Sequence, residues 1–99
     1  MNDIDIKGLN RDFESRVRLG IMSVLTVSGE VTFNDMKQML DLSDGNLSSH
    51  ANALEQNGYI EVRKSFAGKK PQTLYIITKS GRDAFSRHIE ALSRMIGKI

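Results

Sequence analysis

Between Thr32 and Thr78 the chain is punctuated so often that no long element fits. Thr32-Phe33-Asn34-Asp35 has the form of a capping box, with Asp in place of the usual Glu. Ser43 is a good N-cap and Gly58 a good C-terminal stop for one short helix, residues 44–57. Ala67-Gly-Lys-Lys-Pro-Gln72 is turn chemistry, and Thr78 can cap one more helix. The pieces between these signals carry their own periods. Phe13, Val17, Ile21, Met22 and Leu25 recur at helical spacing and predict a helix from about Asn10 to Val27, ended by Ser28-Gly29. Gly20 inside it marks close packing or a bend. Phe33, Met36 and Met39-Leu40 give the buried side of a second, short helix. Ile60 and Val62 alternate with Glu61 and Arg63 as a strand over 59–66, and Thr73–Thr78 is its partner. A last helix over 79–99 carries Phe85, Ile89, Leu92, Met95, Ile96 and Ile99. The order is helix, helix, helix, hairpin, helix: an α+β fold, mainly α.

At 99 residues this is one domain, since two cores would each be too small to be stable. A hydrophobic share of 39% and a single proline exclude a disordered or low-complexity chain. Cysteine is absent, which excludes disulfides and thiolate metal sites, and His50 and His88 lie too far apart in sequence to suggest a metal. There is no signal-like start and no apolar run of membrane-spanning length, so a cytoplasmic protein without a membrane partner is expected. No glycine-rich phosphate loop and no nucleophile–base pairing is visible. We expect no enzyme, no catalytic residue and no cofactor.

Charge is distributed unevenly. Residues 1–61 hold 5 Lys/Arg and 10 Asp/Glu, whereas residues 62–99 hold 9 and 2. Arg63, Lys64, Lys69 and Lys70 cluster around the hairpin turn with no acid among them. The 44–57 helix has no lysine or arginine at all. Leu47, Ala51 and Leu54 fall on one side of it, while Gly45, Ser49, Asn52, Ala53 and Gln56 fall opposite, flanked by Asn46, Ser48 and His50. A face that only meets water usually carries lysine and glutamate, which favour helices more than serine and asparagine do. Small polar groups suit a DNA major groove: serine reads several base edges, asparagine pairs with adenine, and glycine and alanine allow close approach. Two short helices before a hairpin with a basic tip are the parts of a winged helix-turn-helix.

Several stretches together carry a family resemblance: Arg18-Leu19 through Leu25, Val31–Lys64 with its Leu-Ser-Ser-His and Leu-Glu-x-x-Gly-Tyr-Ile, the Gly-Lys-Lys-Pro turn, and Leu74–Phe85 with its Thr-x-x-Gly-Arg. Over roughly residues 15–90 the chain resembles the compact winged-helix regulators of the MarR/ArsR-like superfamily. The resemblance implies Ser48, Ser49 and His50 as recognition-helix contacts and Lys69-Lys70 as the tip of the wing, residues 64–72. It also implies dimerisation through the first and last helices, residues 9–27 and 79–99. The chain is shorter than full-length MarR proteins, and it has no Cys/His cluster of the metal-sensing ArsR type.

The expected partners are double-stranded DNA and a second copy of the chain. Asn46, Ser48, Ser49, His50 and Asn52 are the candidate base-reading residues, and Arg63, Lys64, Lys69 and Lys70 the candidate phosphate binders. His50 either donates to DNA or bonds a neighbouring carbonyl. Arg16 and Arg18 either reach the DNA backbone or pair with Glu14 and Asp12. Phe66 and Tyr75 are expected in the core, and His88 at a surface or interface. Phe85, Ile89, Leu92 and Ile96 form a heptad-like seam too short for a free coiled coil; with Phe13 and Val17 they are the expected dimer interface. A protein-binding winged helix is the competing reading. A small-molecule effector in the dimer cleft is a third, without a residue that speaks for it.

Overall fold

Every α-helix among the described residues begins where a hydroxyl can accept from its first turn. The computed structural model describes residues 4–97 and has four of them: α1 (Arg16–Ser28), α2 (Phe33–Leu40), α3 (Asp44–Gln56) and α4 (Lys79–Gly97). Ser15 Oγ accepts from the Arg18 N–H at 3.3 Å, Thr32 Oγ1 from Asp35 at 3.2 Å, and Ser43 Oγ from Asn46 at 3.1 Å. Thr78 Oγ1 accepts from Gly81 at 2.9 Å. Each bond satisfies a donor that the helix itself leaves orphaned. Ile99, expected on the last helix, lies outside the described residues.

The first helix starts later than its apolar spacing predicts. Asn10 accepts from the Asp12 N–H and opens only a 3-10 turn, Arg11–Phe13, before Ser15 caps α1. Gly20 packs α1 against α2: a Cβ there would lie 3.1 Å from Leu40 Cδ2. The third helix closes as a Schellman motif. The Tyr59 N–H donates to the Leu54 carbonyl and the Gly58 N–H to that of Glu55, with Gly58 at φ 81°.

The hairpin is longer than expected. Strands β2 (Ile60–Ala67) and β3 (Lys70–Ile77) pair antiparallel down to Ala67 opposite Lys70, so the loop is only Gly68-Lys69. Gly68 at φ 65° followed by a residue at negative φ fits a II′ turn, whose twist matches the strands. The closing pair of such a hairpin is hydrogen-bonded. Pro71, one position further on, therefore falls at a non-bonded pair and costs the ladder nothing. A third strand, β1 (Glu30–Thr32), joins the hairpin that the sequence predicts. It pairs with β3 on the side away from β2, giving the order β1-β3-β2.

The core lies between the helices and the sheet. Ile21, Met22, Leu25, Met36, Leu47, Ala51 and Leu54 have no exposed surface. Tyr75 is buried as expected, but Phe66 is 68% exposed, because it lies toward the free end of the hairpin, where no helix covers it. Phe13 packs edge-on against Phe85 at 5.4 Å and, tilted, against Tyr59 at 5.0 Å. His88 belongs to the same cluster, contrary to its expected surface or interface place. Its ring lies 5.4 Å from Phe13, and its Nδ1 accepts from the Asn10 N–H at 3.0 Å. Burial pushes the His88 pKa down, against the opposing pull of the Glu14 carboxylate.

Candidate nucleic-acid interface

Leu47, Ala51 and Leu54 anchor α3 against α1 and β2, and this fixes which face it turns outward. That outward face is the one read from the sequence. Gly45, Asn46, Ser49, Asn52 and Gln56 are exposed, while Ser48 and His50 are half-buried on opposite flanks. An ion pair between Lys37 and Asp44, 2.8 Å long, ties the start of α3 to α2.

The two flanks differ in chemistry. On one, Ser48 and Asn52 share a cleft with Phe33, Val62, Lys64, Thr73 and Tyr75, between α3 and the hairpin. On the other, the Arg18 Nε–H donates to His50 Nδ1 at 3.1 Å. His50 is thus bonded to a side chain from α1 rather than to a neighbouring carbonyl. An accepting Nδ1 places the neutral ring's proton on Nε2, which leaves that nitrogen as a donor. Partial burial, and then the Arg18 guanidinium, lower the His50 pKa and keep the ring neutral. Neither Arg16 nor Arg18 forms an ion pair with Glu14 or Asp12 among the described residues.

The hairpin divides its cations by face. Alternate residues of a strand share a face, so Lys64 lies with Ile60 and Val62 on the α3 side, where its Nζ donates to Thr73 Oγ1 at 3.2 Å. Arg63 lies on the opposite face and is held by Glu61, whose Oε1 accepts from Nε at 3.2 Å and Nη2 at 2.9 Å. Arg63, expected with Lys64 among the phosphate binders, thus lies on the face away from the cleft and is paired with Glu61. The two-residue spacing of Glu61 and Arg63 in a strand already carried that signal. Lys69 and Lys70 are exposed at the turn, as expected.

The expected dimer residues also separate. Phe13, Val17 and Phe85 are 1%, 8% and 4% exposed, spent in the protomer's own core. Ile89 and Ile96 are exposed on α4 and Leu92 is half-buried between them.

A sequence model of the winged helix DNA-binding domain matches residues 17–96. The chain belongs to this family. It is 39% identical over 77 residues to an uncharacterized protein of Methanocaldococcus jannaschii, covering 78% of this chain and 84% of that protein. Its fold is similar to that of the transcriptional regulator homologue protein from Pyrococcus horikoshii OT3, with a TM-score of 0.84, 34% identity, and coverage of 89% and 87% of the two chains. It is also similar to reduced AbfR bound to DNA, at a TM-score of 0.76 and 24% identity, over 89% of this chain and 63% of that one; that likeness is one of fold alone. The matched span runs from α1 through α4, so the whole fold described above is that DNA-binding domain. Among its described residues no helix is long and apolar enough to cross a membrane, and no three His, Asp or Glu are grouped to hold a metal.

Proposed function

We propose that the chain is a homodimeric, sequence-specific regulator of transcription, acting as a repressor by blocking polymerase access. In this reading α3 lies in the major groove and the hairpin is the wing on the DNA backbone. The observation that carries it is the outward face of α3: exposed Asn46, Ser49 and Asn52 around Gly45, with no cation, beside a hairpin that bears Lys64, Lys69 and Lys70. Base reading and charge neutralisation are then assigned to different elements. The 1–99 chain acts as one DNA-binding unit in this scheme, its first and last helical segments serving assembly.

Dimerisation rests on a narrower set of residues than the sequence suggests. Ile89 is 40% exposed and Ile96 69% exposed on α4, and Ile4 and Ile6 are exposed on the N-terminal segment that runs beside Met95 and Arg94. A second copy applied about a two-fold axis would cover this stripe. It would set two α3 helices about 34–36 Å apart, in successive major grooves. Phe13, Val17 and Phe85 support that surface from within.

Changing Ser49 and Asn52 together to alanine tests the reading. Alanine is the better helix former at both positions, so stability should hold or rise slightly. Specific binding should fall by about 1–3 kcal/mol per lost base contact, while binding to random duplex stays level. A double variant that keeps the wild-type ratio of specific to non-specific affinity would refute the assignment.

A further inference from the structure

Among the neutral polar side chains on the outward face and flanks of α3, all but one can both give and accept a hydrogen bond. Asn46, Ser48, Ser49, Asn52 and Gln56 carry hydroxyls and amides, which turn to suit either partner. Lysine and arginine, donors alone and the side chains that most often single out guanine, are absent from this helix. The exception is His50. A neutral imidazole left to itself exchanges between two tautomers, so each nitrogen can be donor or acceptor. Here the Arg18 Nε–H occupies Nδ1 at 3.1 Å, and a guanidinium cannot accept. The ring proton is thereby kept on Nε2, which has no hydrogen-bond partner among the described residues.

The lock is held by the fold rather than by near neighbours. Arg18 stands in the first turn of α1, where Ser15 Oγ accepts from its N–H, and α1 packs against α3 through the buried core. Arg18 and His50 are both half-buried. Turning the ring over would set a C–H against the Arg18 N–H, so the bond fixes orientation as well as tautomer.

We propose that Arg18 is a positioning residue that makes His50 a donor-only reader, selecting guanine in the major groove through its Nε2–H. This deepens, and rests on, the placement of α3 in that groove proposed above. Guanine presents two adjacent acceptors, O6 and N7, whereas the amino groups of adenine and cytosine would set a donor against Nε2–H. Serine and asparagine cannot impose that exclusion, because they turn. The helix gains a guanine contact without a cation, which would raise affinity for every duplex.

Single base-pair substitutions in a duplex selected by the wild-type chain test this. Replacing one guanine per half-site by adenine should cost about fivefold in affinity, the scale of one hydrogen bond. His50→Ala should bind the two forms alike, and His50→Gln, whose amide can pair with adenine, should lose or reverse the preference. Arg18→Met removes the locking donor from a good helix-forming position and should bring the guanine-to-adenine ratio toward one. Any phosphate contact of Arg18 itself cancels in that ratio. Nitrogen NMR of the imidazole above neutral pH should show a single tautomer with Nδ1 unprotonated in the wild-type chain, and a mixture in Arg18→Met. A His50→Ala chain that loses affinity equally for every base-pair variant overturns the proposal, and so does a folded Arg18→Met chain that keeps the wild-type ratio. Should Arg18→Met fail to fold, the two His50 variants and the wild-type spectrum decide, and mixed tautomers in the wild-type chain overturn the proposal. If the wild-type chain selects no duplex, the underlying reading fails as well.

Discussion

Gly81→Ala should unfold the joint between α3 and α4, although alanine is the better helix former. Gly81 is buried in the first turn of α4, where a Cβ would lie 2.7 Å from the Tyr59 carbonyl carbon and overlap its oxygen. Those atoms are backbone and cannot rotate away. The Tyr59 oxygen also accepts from the Thr78 N–H at 3.1 Å, and Thr78 Oγ1 both donates to the Gly58 oxygen at 2.6 Å and caps Gly81. Moving α4 outward strains this whole set. Overpacking costs about 1–3 kcal/mol and each weakened hydrogen bond about 1, against a helix-propensity gain of at most about 1. The net loss is about 2 kcal/mol, or about 8–16 °C in Tm for a domain of this size. Gly45→Ala is the internal control, because a Cβ there meets nothing within 4 Å and the residue lies in α3. It should stabilise by up to about 1 kcal/mol, yet weaken specific DNA binding, since its methyl would stand on the face proposed to enter the groove. Urea denaturation followed by circular dichroism, with duplex titrations alongside, measures both. A Gly81→Ala chain as stable as wild type would refute the steric argument.

Three further outcomes are expected. Lys69→Ala/Lys70→Ala should weaken specific and random duplex binding alike and flatten the salt slope by about two units per protomer, about four for the proposed dimer, read from binding titrations over a salt series. Ile89→Glu/Ile96→Glu should keep the fold, because both side chains are exposed, and sediment as a monomer, whereas the wild-type chain should sediment as a dimer. His88 has its pKa lowered by burial, and its Nδ1 must stay unprotonated to accept from Asn10. The unfolded chain therefore takes up the proton first. Stability should be flat above the ordinary histidine value of 6.5 and fall as pH drops below it, with a shallower fall in His88→Gln, measured as the urea midpoint against pH.

What the sequence revealed depends on the range over which each residue acts. Thr32, Ser43, Gly58 and Thr78 bond within a few residues of themselves, so their punctuation was legible and the helices start and stop where it points. β1 was not legible, because Glu30–Thr32 is a strand only by virtue of β3, more than forty positions on. The same holds for Arg18 and His50, which meet across 32 positions between α1 and α3. Periodicity marked Phe13, Val17 and Phe85 as apolar-face residues. It is silent on whether that face meets its own chain or another, and here it meets its own. Arg63 is different: its pairing with Glu61 follows from strand alternation alone, and the charge cluster concealed it.

The proposed separation of charge from base reading has a consequence for how such a regulator would discriminate. If only Lys64, Lys69 and Lys70 of each protomer neutralise phosphates, the salt slope is about −3 per protomer and about −5 for a dimer, modest for a DNA-binding protein. Binding to random duplex is then weak at physiological salt. An α3 with cations would raise affinity for every sequence, narrowing the ratio on which specificity depends. An α3 whose Asn46, Ser49 and Asn52 can only hydrogen-bond contributes fully where base edges match and costs desolvation where they do not. One protomer alone gains too little from three such side chains to hold a site. Two copies joined through α4 make the second engagement intramolecular, so that correct half-sites at the correct spacing multiply. By this argument the uncharged face of α3 and the exposed stripe of α4 are one device. Disrupting the stripe should abolish specific binding even though no residue near the DNA has changed.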